Sequence, residues 1–106
     1  MSFQLGSALL DTCVLAVLTR EDAYGYILTQ QVKEVMNISE STLYPVLRRL
    51  QKDGHLITYD QSYQGRNRRY YQITDSGRKK YKEYISEWEE YKLRVDKILL
   101  GGIVSE

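Results

Sequence analysis

The sequence of 106 residues has one cysteine, one histidine, one proline and one tryptophan, and this scarcity excludes several kinds of site. One cysteine cannot form an internal disulfide, and one cysteine with one histidine cannot supply the ligands of an ordinary zinc site. Cys13 lies within the apolar residues 9–18, where we expect it to pack as a small apolar group in a reducing cytoplasm. We therefore predict no metal and no cofactor.

Long apolar runs and targeting signals are also lacking. No segment approaches the length of a membrane span, and the N-terminus shows none of the charged, apolar and cleavage regions of a secretory signal. Cys13 and His55 fall in different predicted elements, without a phosphate-binding glycine loop or paired carboxylates in an apolar setting. We expect one cytoplasmic domain with a modest core, no membrane partner and no enzymatic activity.

The positive charge of the sequence is concentrated in its middle. Residues 38–80 carry nine Lys or Arg against four Asp or Glu, whereas residues 1–37 and residues 81–106 each have two more acids than bases. Localised positive charge of this kind is what a nucleic-acid-binding surface requires, even though the net charge of the chain is only +1.

The strongest helix signal lies in residues 38–53, inside this basic region. Its apolar residues recur at helical spacing and would form one buried stripe: Leu43, Val46, Leu47 and Leu50. Ser39 and Ser41 are alternative N-caps, and Gly54 suits the position just after the helix. Pro45 disfavours a helix locally. It falls close to the first turn if Ser41 is the cap, whereas the helix must bend or fray around it if Ser39 is the cap.

The opposite face of this helix carries hydroxyls near its start and cations further along: Ser41, Thr42, Tyr44, Arg48, Arg49 and Lys52. Small polar groups followed by Arg and Lys suit a DNA groove and the phosphates beside it. The alternative is a solvated surface helix with ordinary charged residues.

Two helices precede this one. Residues 5–18 predict the first, with a broad apolar stripe of Leu5, Ala8, Leu9, Thr12, Cys13, Ala16 and Val17. Residues 23–36 predict the second, with helical spacing of Tyr24, Ile27, Leu28, Val32 and Val35. Gly25, a poor helix former, predicts a close approach to the backbone at the start of the second helix. Three short helices of which the third is basic are typical of a helix-turn-helix domain.

Two β-prone runs follow Gly54. Residues 55–59 and residues 68–74 predict an antiparallel hairpin, with a turn region at residues 60–67 in which Gly65 helps the chain reverse. The tip and the return strand carry Arg66, Asn67, Arg68 and Arg69. A basic hairpin directly after a basic helix favours the wing of a winged helix, and the alternative is an ordinary solvated turn.

A long last helix is predicted to begin after Thr74 or Asp75, either of which can cap it, and to end at Gly101 and Gly102. Its apolar residues recur in steps of three and four as a heptad-like stripe: Tyr81, Tyr84, Ile85, Trp88, Tyr91, Val95, Ile98 and Leu99. A small three-helix core cannot cover this stripe, so we predict that it forms the interface with a second copy. The alternative is a helix folded back on its own domain. Residues 103–106 should be poorly ordered.

Trp88, the only tryptophan, lies in the middle of this stripe beside Tyr84 and Tyr91. It is either an apolar anchor of the dimer or, if two copies do not close tightly, a wall of a slot that stacks flat aromatic molecules.

Four segments together resemble the PadR family of transcriptional regulators and occur in the order of that family. They are residues 24–26 (Tyr-Gly-Tyr), 41–50 (Ser-Thr-Leu-Tyr-Pro-Val-Leu-Arg-Arg-Leu), 65–71 (Gly-Arg-Asn-Arg-Arg-Tyr-Tyr) and 74–78 (Thr-Asp-Ser-Gly-Arg). The resemblance implies a bacterial winged helix-turn-helix dimer that binds an operator, usually as a repressor. It also implies that the recognition helix tolerates Pro45. The short C-terminal helix resembles that of the small subfamily. In small multidrug-responsive relatives a tryptophan on this helix lines a pocket at the dimer centre, and Trp88 lies at a matching distance from Gly77.

The predicted protein is mainly α-helical with a small β-hairpin: three N-terminal helices, a two-stranded wing and a long C-terminal dimerisation helix. Residues 1–75 would form the DNA-binding domain and residues 76–106 the dimerisation helix and tail. Tyr24 and Ser39 complete the predicted DNA-binding set. The expected function is that of a homodimeric repressor on a palindromic operator in double-stranded DNA, with a small aromatic inducer as a further expectation. The alternative is an interaction module whose basic face binds an acidic protein partner.

Overall fold

A computed structural model describes residues 5–101 of the chain. In chain order it contains α1 (Ser7–Arg20), β1 (Ala23–Tyr24), α2 (Gly25–Met36), α3 (Glu40–Lys52), β2 (Leu56–Tyr63), β3 (Arg66–Ile73) and α4 (Asp75–Leu99). The strands form an antiparallel sheet in the order β1-β3-β2. The predicted winged helix with a long last helix is confirmed, and the expectation for residues 103–106 lies outside the described residues.

Helix α3 follows its sequence pattern closely. The four residues of its predicted stripe are all buried: Leu43, Val46, Leu47 and Leu50. Ser39 is the N-cap, and its hydroxyl accepts a hydrogen bond from the backbone N–H of Thr42 over 3.3 Å. The helix continues through Pro45 without a break. The missing N–H of Pro45 leaves the carbonyl of Ser41 without its usual donor.

The predicted stripe of α1 is wrong in part. Of the residues assigned to it, only Ala8 and Thr12 are buried. The core instead receives larger side chains from α1: Leu10, Val14, Leu15 and Leu18. Because α1 is apolar on most of its sides, spacing alone does not determine which side is buried.

Ala23 and Tyr24, predicted to open the second helix, instead form β1 and pair with Tyr71 and Tyr70 of β3. Helix α2 begins two residues later, at Gly25. A Cβ atom on Gly25 would lie 3.3 Å from Cε1 of Tyr71, so the predicted close approach is present. A two-residue strand is too short to show a periodicity. Pairing with β3 keeps Ala23 and Tyr24 extended, although the spacing of the residues that follow is helical.

The hairpin is longer than predicted. Strands β2 and β3 pair in continuous register from Leu56 opposite Ile73 to Tyr63 opposite Arg66, so most of the predicted turn region at residues 60–67 is strand. The reversal consists of Gln64 and Gly65, whose φ angles are 50° and 79°. Positive φ at both positions is what a two-residue type I′ turn requires.

Helix α4 is held tightly at its start. Thr74 is the N-cap, because its hydroxyl accepts a hydrogen bond from the N–H of Gly77 over 3.0 Å. A Cβ atom on Gly77 would overlap the backbone oxygen of His55 and lie 2.7 Å from Cγ1 of Ile73. Only glycine therefore lets α4 begin so close to the residues that lead into β2.

The two halves of α4 have different surroundings. Tyr81 and Tyr84 in its first half pack against the core of the same chain. Near its other end Ile98 is 82% exposed and Leu99 is 72% exposed, and the chain reaches 64 Å in its longest dimension. The alternative of a helix folded back on its own domain therefore does not describe the last turn of α4.

Candidate DNA interface

The outer face of α3 presents a row of exposed polar side chains. Four residues recur along it at intervals of three or four: Ser41, Tyr44, Arg48 and Lys52. This spacing places them on one side of the helix. At its N-terminus the hydroxyl of Ser39 lies 2.9 Å from that of Ser41 and 3.1 Å from that of Thr42. The row, which we call the α3 outer row, combines hydroxyls at a helix N-terminus with cations, and both groups suit phosphate oxygens.

Arg49, predicted to share this face, turns toward α1 instead. Its Nη2 lies 2.6 Å from Oδ1 of Asp11, and its Nη1 lies 3.1 Å from Oδ2. Asp11 is 2% exposed and also accepts a hydrogen bond from the hydroxyl of Tyr84 over 2.9 Å. Hydrogen bonding to Asp11 raises the pKa of Arg49. The guanidinium is thus engaged within the chain, and it is not part of the α3 outer row.

The basic residues of the wing divide between the two faces of the sheet. Because side chains alternate along a strand, Asn67 and Arg69 lie on the same face as the buried Ile73. Arg66 and Arg68 lie on the other face. The three arginines therefore do not form a single surface, although they follow one another closely in the sequence.

Arg69 lies on the same face of β3 as Tyr71. Burial raises the pKa of the Tyr71 phenol, and the positive charges of Arg69 and Arg48 oppose that shift. One cation of the wing and one cation of the α3 outer row thus lie close enough to act on the same phenol. The Nε of Arg69 is 3.8 Å from Oδ1 of Asp60, a loose exposed pair of the kind that contributes little to stability.

On the opposite face of the wing, aromatic rings enclose Arg68. Its Cζ lies 4.5 Å from the ring centroid of Tyr24 and 4.3 Å from that of Tyr63, and both are cation–π distances. Tyr24, predicted at the DNA surface, is therefore part of this stack, with the Tyr70 ring 5.9 Å away. These contacts hold Arg68 within the wing, whereas Arg66 is exposed at the tip.

A cleft of about 600 Å³ adjoins this aromatic face, between α1, α2 and the sheet. Asp22 at its edge accepts hydrogen bonds from the Tyr59 hydroxyl over 2.6 Å and from Nε2 of Gln72 over 3.1 Å. The Tyr59 ring stacks on Tyr70, with centroids 5.6 Å apart. Sequence reasoning missed this group, although the alternation of Tyr59 and Tyr63 along β2 was a signal that two tyrosines share one face.

A second hollow, of about 360 Å³, lies beside Trp88 on α4. It is lined by Leu5, Trp88, Tyr91, Lys92, Val95 and Asp96. The ring centroids of Trp88 and Tyr91 are 6.3 Å apart. Ile85 is half-buried on the same helix. Tyr84, predicted as a wall of this hollow, does not line it, because its hydroxyl is directed to Asp11.

The remaining candidates for chemistry are few in the described part of the chain. Among residues 5–101, no three His, Cys, Asp or Glu side chains are grouped so that they could hold a metal ion. Cys13 lies with its Sγ 3.6 Å from Sδ of Met36, and burial raises the pKa of its thiol. None of the helices within those residues is long and apolar enough to cross a membrane.

Comparison with known proteins links this geometry to one family. The model of the Transcriptional regulator PadR-like family matches residues 14–83, which include α3 and the wing. The crystal structure of smu.1704 from Streptococcus mutans is 42% identical, with a TM-score of 0.86 and 100% of both chains covered. That of the PadR-like transcriptional regulator BC4206 from Bacillus cereus is 30% identical, with a TM-score of 0.78, covering 86% of this chain and 91% of that one. Transcriptional regulator Rv3488 of Mycobacterium tuberculosis is 40% identical over 58 residues, or 54% of each chain.

Proposed function

Because this chain belongs to the PadR-like family of transcriptional regulators, we propose that it is a homodimeric repressor that binds a palindromic operator in double-stranded DNA. The observation that carries the proposal is the α3 outer row, exposed along its whole length. Hydroxyls, a phenol and two cations on one side of a helix are the groups that contact base edges and phosphates in a major groove.

In the proposed complex each α3 lies in a major groove. Ser41, Thr42 and Tyr44 approach base edges or phosphates, while Arg48 and Lys52 contact phosphates. Arg66 and Asn67 at the tip of the wing reach the neighbouring backbone or minor groove. Two-fold symmetry then predicts half-sites about 34–36 Å apart, which is one turn of the double helix.

The second half of α4 supports the homodimer. Ile98 and Leu99 project from the domain with most of their apolar surface exposed, and contiguous exposed apolar surface typically marks an interaction site. A symmetric pair buries the same patch from both copies. We infer that Ile85, Trp88, Tyr91 and Val95 continue this interface toward the first half of the helix.

The hollow beside Trp88 supports an inducer of flat aromatic shape. Its walls include the Trp88 and Tyr91 rings and the apolar Leu5 and Val95, and aromatic rings stack on such walls. A ligand there would release the operator only if it binds better to a dimer geometry in which the two α3 helices no longer match the half-site spacing.

The test is binding of the purified protein to the DNA upstream of its own gene, across a salt series, with a scrambled duplex of equal length and composition as control. Saturable binding that favours the upstream DNA is the expected result. The logarithm of the affinity should fall steeply with the logarithm of salt concentration, by about 0.9 for each phosphate contacted.

Two other results would contradict the proposal. No binding to any duplex at low salt would contradict DNA binding. It would favour the alternative function, an interaction module whose basic face binds an acidic protein partner. Equal binding to both duplexes, followed by failure to enrich any site from a randomised DNA library, would show an electrostatic surface without an operator.

A further inference from the structure

Three helices meet at one buried carboxylate. Asp11 of α1 accepts two hydrogen bonds from the Arg49 guanidinium of α3 and one from the Tyr84 hydroxyl of α4, all between 2.6 and 3.1 Å. Asp11 is almost completely buried, although the Arg49 side chain that covers it is 45% exposed. Removing either partner leaves a buried negative charge incompletely compensated.

We propose that this junction sets the orientation of α3 relative to α4, and that Arg49 and Tyr84 are positioning residues for DNA binding rather than DNA contacts. The inference rests on DNA binding as the proposed function. It names the residues that orient the α3 outer row toward the operator.

The buried face of α3 contributes to its orientation by close packing of four apolar residues, but the hydrophobic driving force itself is not directional. The salt bridge of Arg49 is directional, because it consists of two parallel hydrogen bonds, from Nη1 to Oδ2 and from Nη2 to Oδ1 of Asp11. Arg49 is adjacent to Arg48 of the outer row, so a rotation of α3 about its axis would move Arg48 and strain the Arg49 pair at once.

Tyr84 connects the same carboxylate to α4. A tyrosine hydroxyl is a protonated donor at neutral pH, and burial, with the nearby charge of Asp11, raises the pKa of the Tyr84 phenol further. Trp88 follows one turn later on the same side of the helix, beside the hollow. A displacement of α4 at Trp88 would therefore move Tyr84 against Asp11 and shift the anchor to which Arg49 is bound.

The first test compares Tyr84→Phe with Tyr81→Phe. Both substitutions remove one hydroxyl from a half-buried tyrosine of α4, but only Tyr84 donates to Asp11. The measured quantity is the ratio of affinities for two duplexes, one that the wild-type chain enriches from a randomised library and one of scrambled sequence. Partial unfolding lowers both affinities by the same factor, so this ratio does not respond to a merely structural loss.

The expected result is that Tyr84→Phe lowers the ratio about tenfold, the effect of one hydrogen bond to a charged group. The salt slope should stay unchanged, because no phosphate contact is lost. Tyr81→Phe should leave both quantities at their wild-type values. A ratio within twofold of wild type for Tyr84→Phe would overturn the inference.

The second test compares Arg49→Lys with Arg94→Lys, a substitution of an exposed arginine of α4 that pairs loosely with Glu90. Both keep the positive charge, but lysine cannot reproduce the fork that bonds both oxygens of Asp11. Arg49→Lys should lower the ratio at an unchanged salt slope, and its effect should be less than additive with that of Tyr84→Phe because the two share one carboxylate. Arg94→Lys should leave both the ratio and the salt slope at their wild-type values.

A different variant distinguishes a positioning role from a phosphate contact. Arg49→Gln should leave the salt slope unchanged if Arg49 only positions α3. A lower slope with equal loss for both duplexes would make Arg49 a DNA contact and would overturn the inference while leaving the proposed function intact. A wild-type chain that enriches no duplex would overturn the proposed function, and this inference with it.

Discussion

Replacing Gly77 by alanine has two effects of opposite sign on the stability of the fold. Alanine has the higher helix propensity, by about 1 kcal/mol within a helix, so propensity alone predicts stabilisation. The added Cβ, however, would overlap the backbone oxygen of His55 and lie 2.7 Å from Cγ1 of Ile73. A backbone oxygen cannot move aside as the end of a flexible side chain can, so α4 or the residues before β2 must shift.

Overpacking of this kind typically costs about 1–3 kcal/mol. We expect Gly77→Ala to lower the free energy of unfolding by about that amount, which corresponds to a decrease in Tm of roughly 4–8 °C per kcal/mol for a domain of this size. The assay is thermal and urea unfolding followed by circular dichroism. Each chain should be measured at the same protein concentration, because the stability of a dimer depends on it.

Gly25→Ala is the matched control. There the new Cβ would lie 3.3 Å from Cε1 of Tyr71, an atom of a side chain that can give way by a few tenths of an ångström. We expect a change within about 1 kcal/mol of zero, since propensity and crowding nearly cancel. If Gly77→Ala proved as stable as the wild type or more so, the close packing of α4 on the residues before β2 would be refuted.

Other substitutions test separate parts of the molecule. Arg66→Ala should weaken binding to specific and scrambled DNA alike and lower the salt slope by up to about 2, since a dimer loses two phosphate contacts at about 0.9 each; an unchanged slope would remove the wing tip from the interface. Trp88→Ala should weaken the dimer in sedimentation experiments if Trp88 is an anchor, or leave the dimer intact and abolish the response to aromatic ligands if it is a pocket wall. Burial raises the pKa of Cys13 in the folded chain, so its stabilising contribution is complete below the ordinary thiol pKa of about 8.5 and is lost as pH rises through the higher folded value. Cys13→Ala should therefore show a smaller fall in Tm than the wild type in alkaline buffer, and equal falls would exclude Cys13 as a contributor.

How far the fold could be predicted depended on how unambiguous each pattern was. In α3 the apolar residues occupy one side and charged residues the other, so Leu43 and its three companions were all identified as core. In α1 nearly every side is apolar, and the predicted stripe missed Val14 and Leu15. The buried side of α1 also carries Asp11, which is bonded to Arg49 and Tyr84 from distant parts of the chain. Spacing within one helix contains no information about such partners.

The candidate site shows the same limit. The exposure of Ser41, Tyr44, Arg48 and Lys52 follows from helical periodicity, and it was predicted. The separation of Arg68 from Arg69 follows from strand alternation and was implicit in the predicted strand at residues 68–74, whereas the place of Arg66 on the sheet was not. Since residues 60–67 are mostly polar and exposed, their sequence resembles a loop, and the pairing that makes them strand is visible only in three dimensions.

The projecting end of α4 has a consequence for how long the protein survives in a cell. Ile98 and Leu99 are mostly exposed in a single copy, so the last turn of α4 has few tertiary contacts to oppose fraying. Proteases cleave locally opened segments in proportion to how often they open. If pairing of two copies protects that end, scarce protein would be degraded faster than abundant protein, and its level would fall more completely once its synthesis stops.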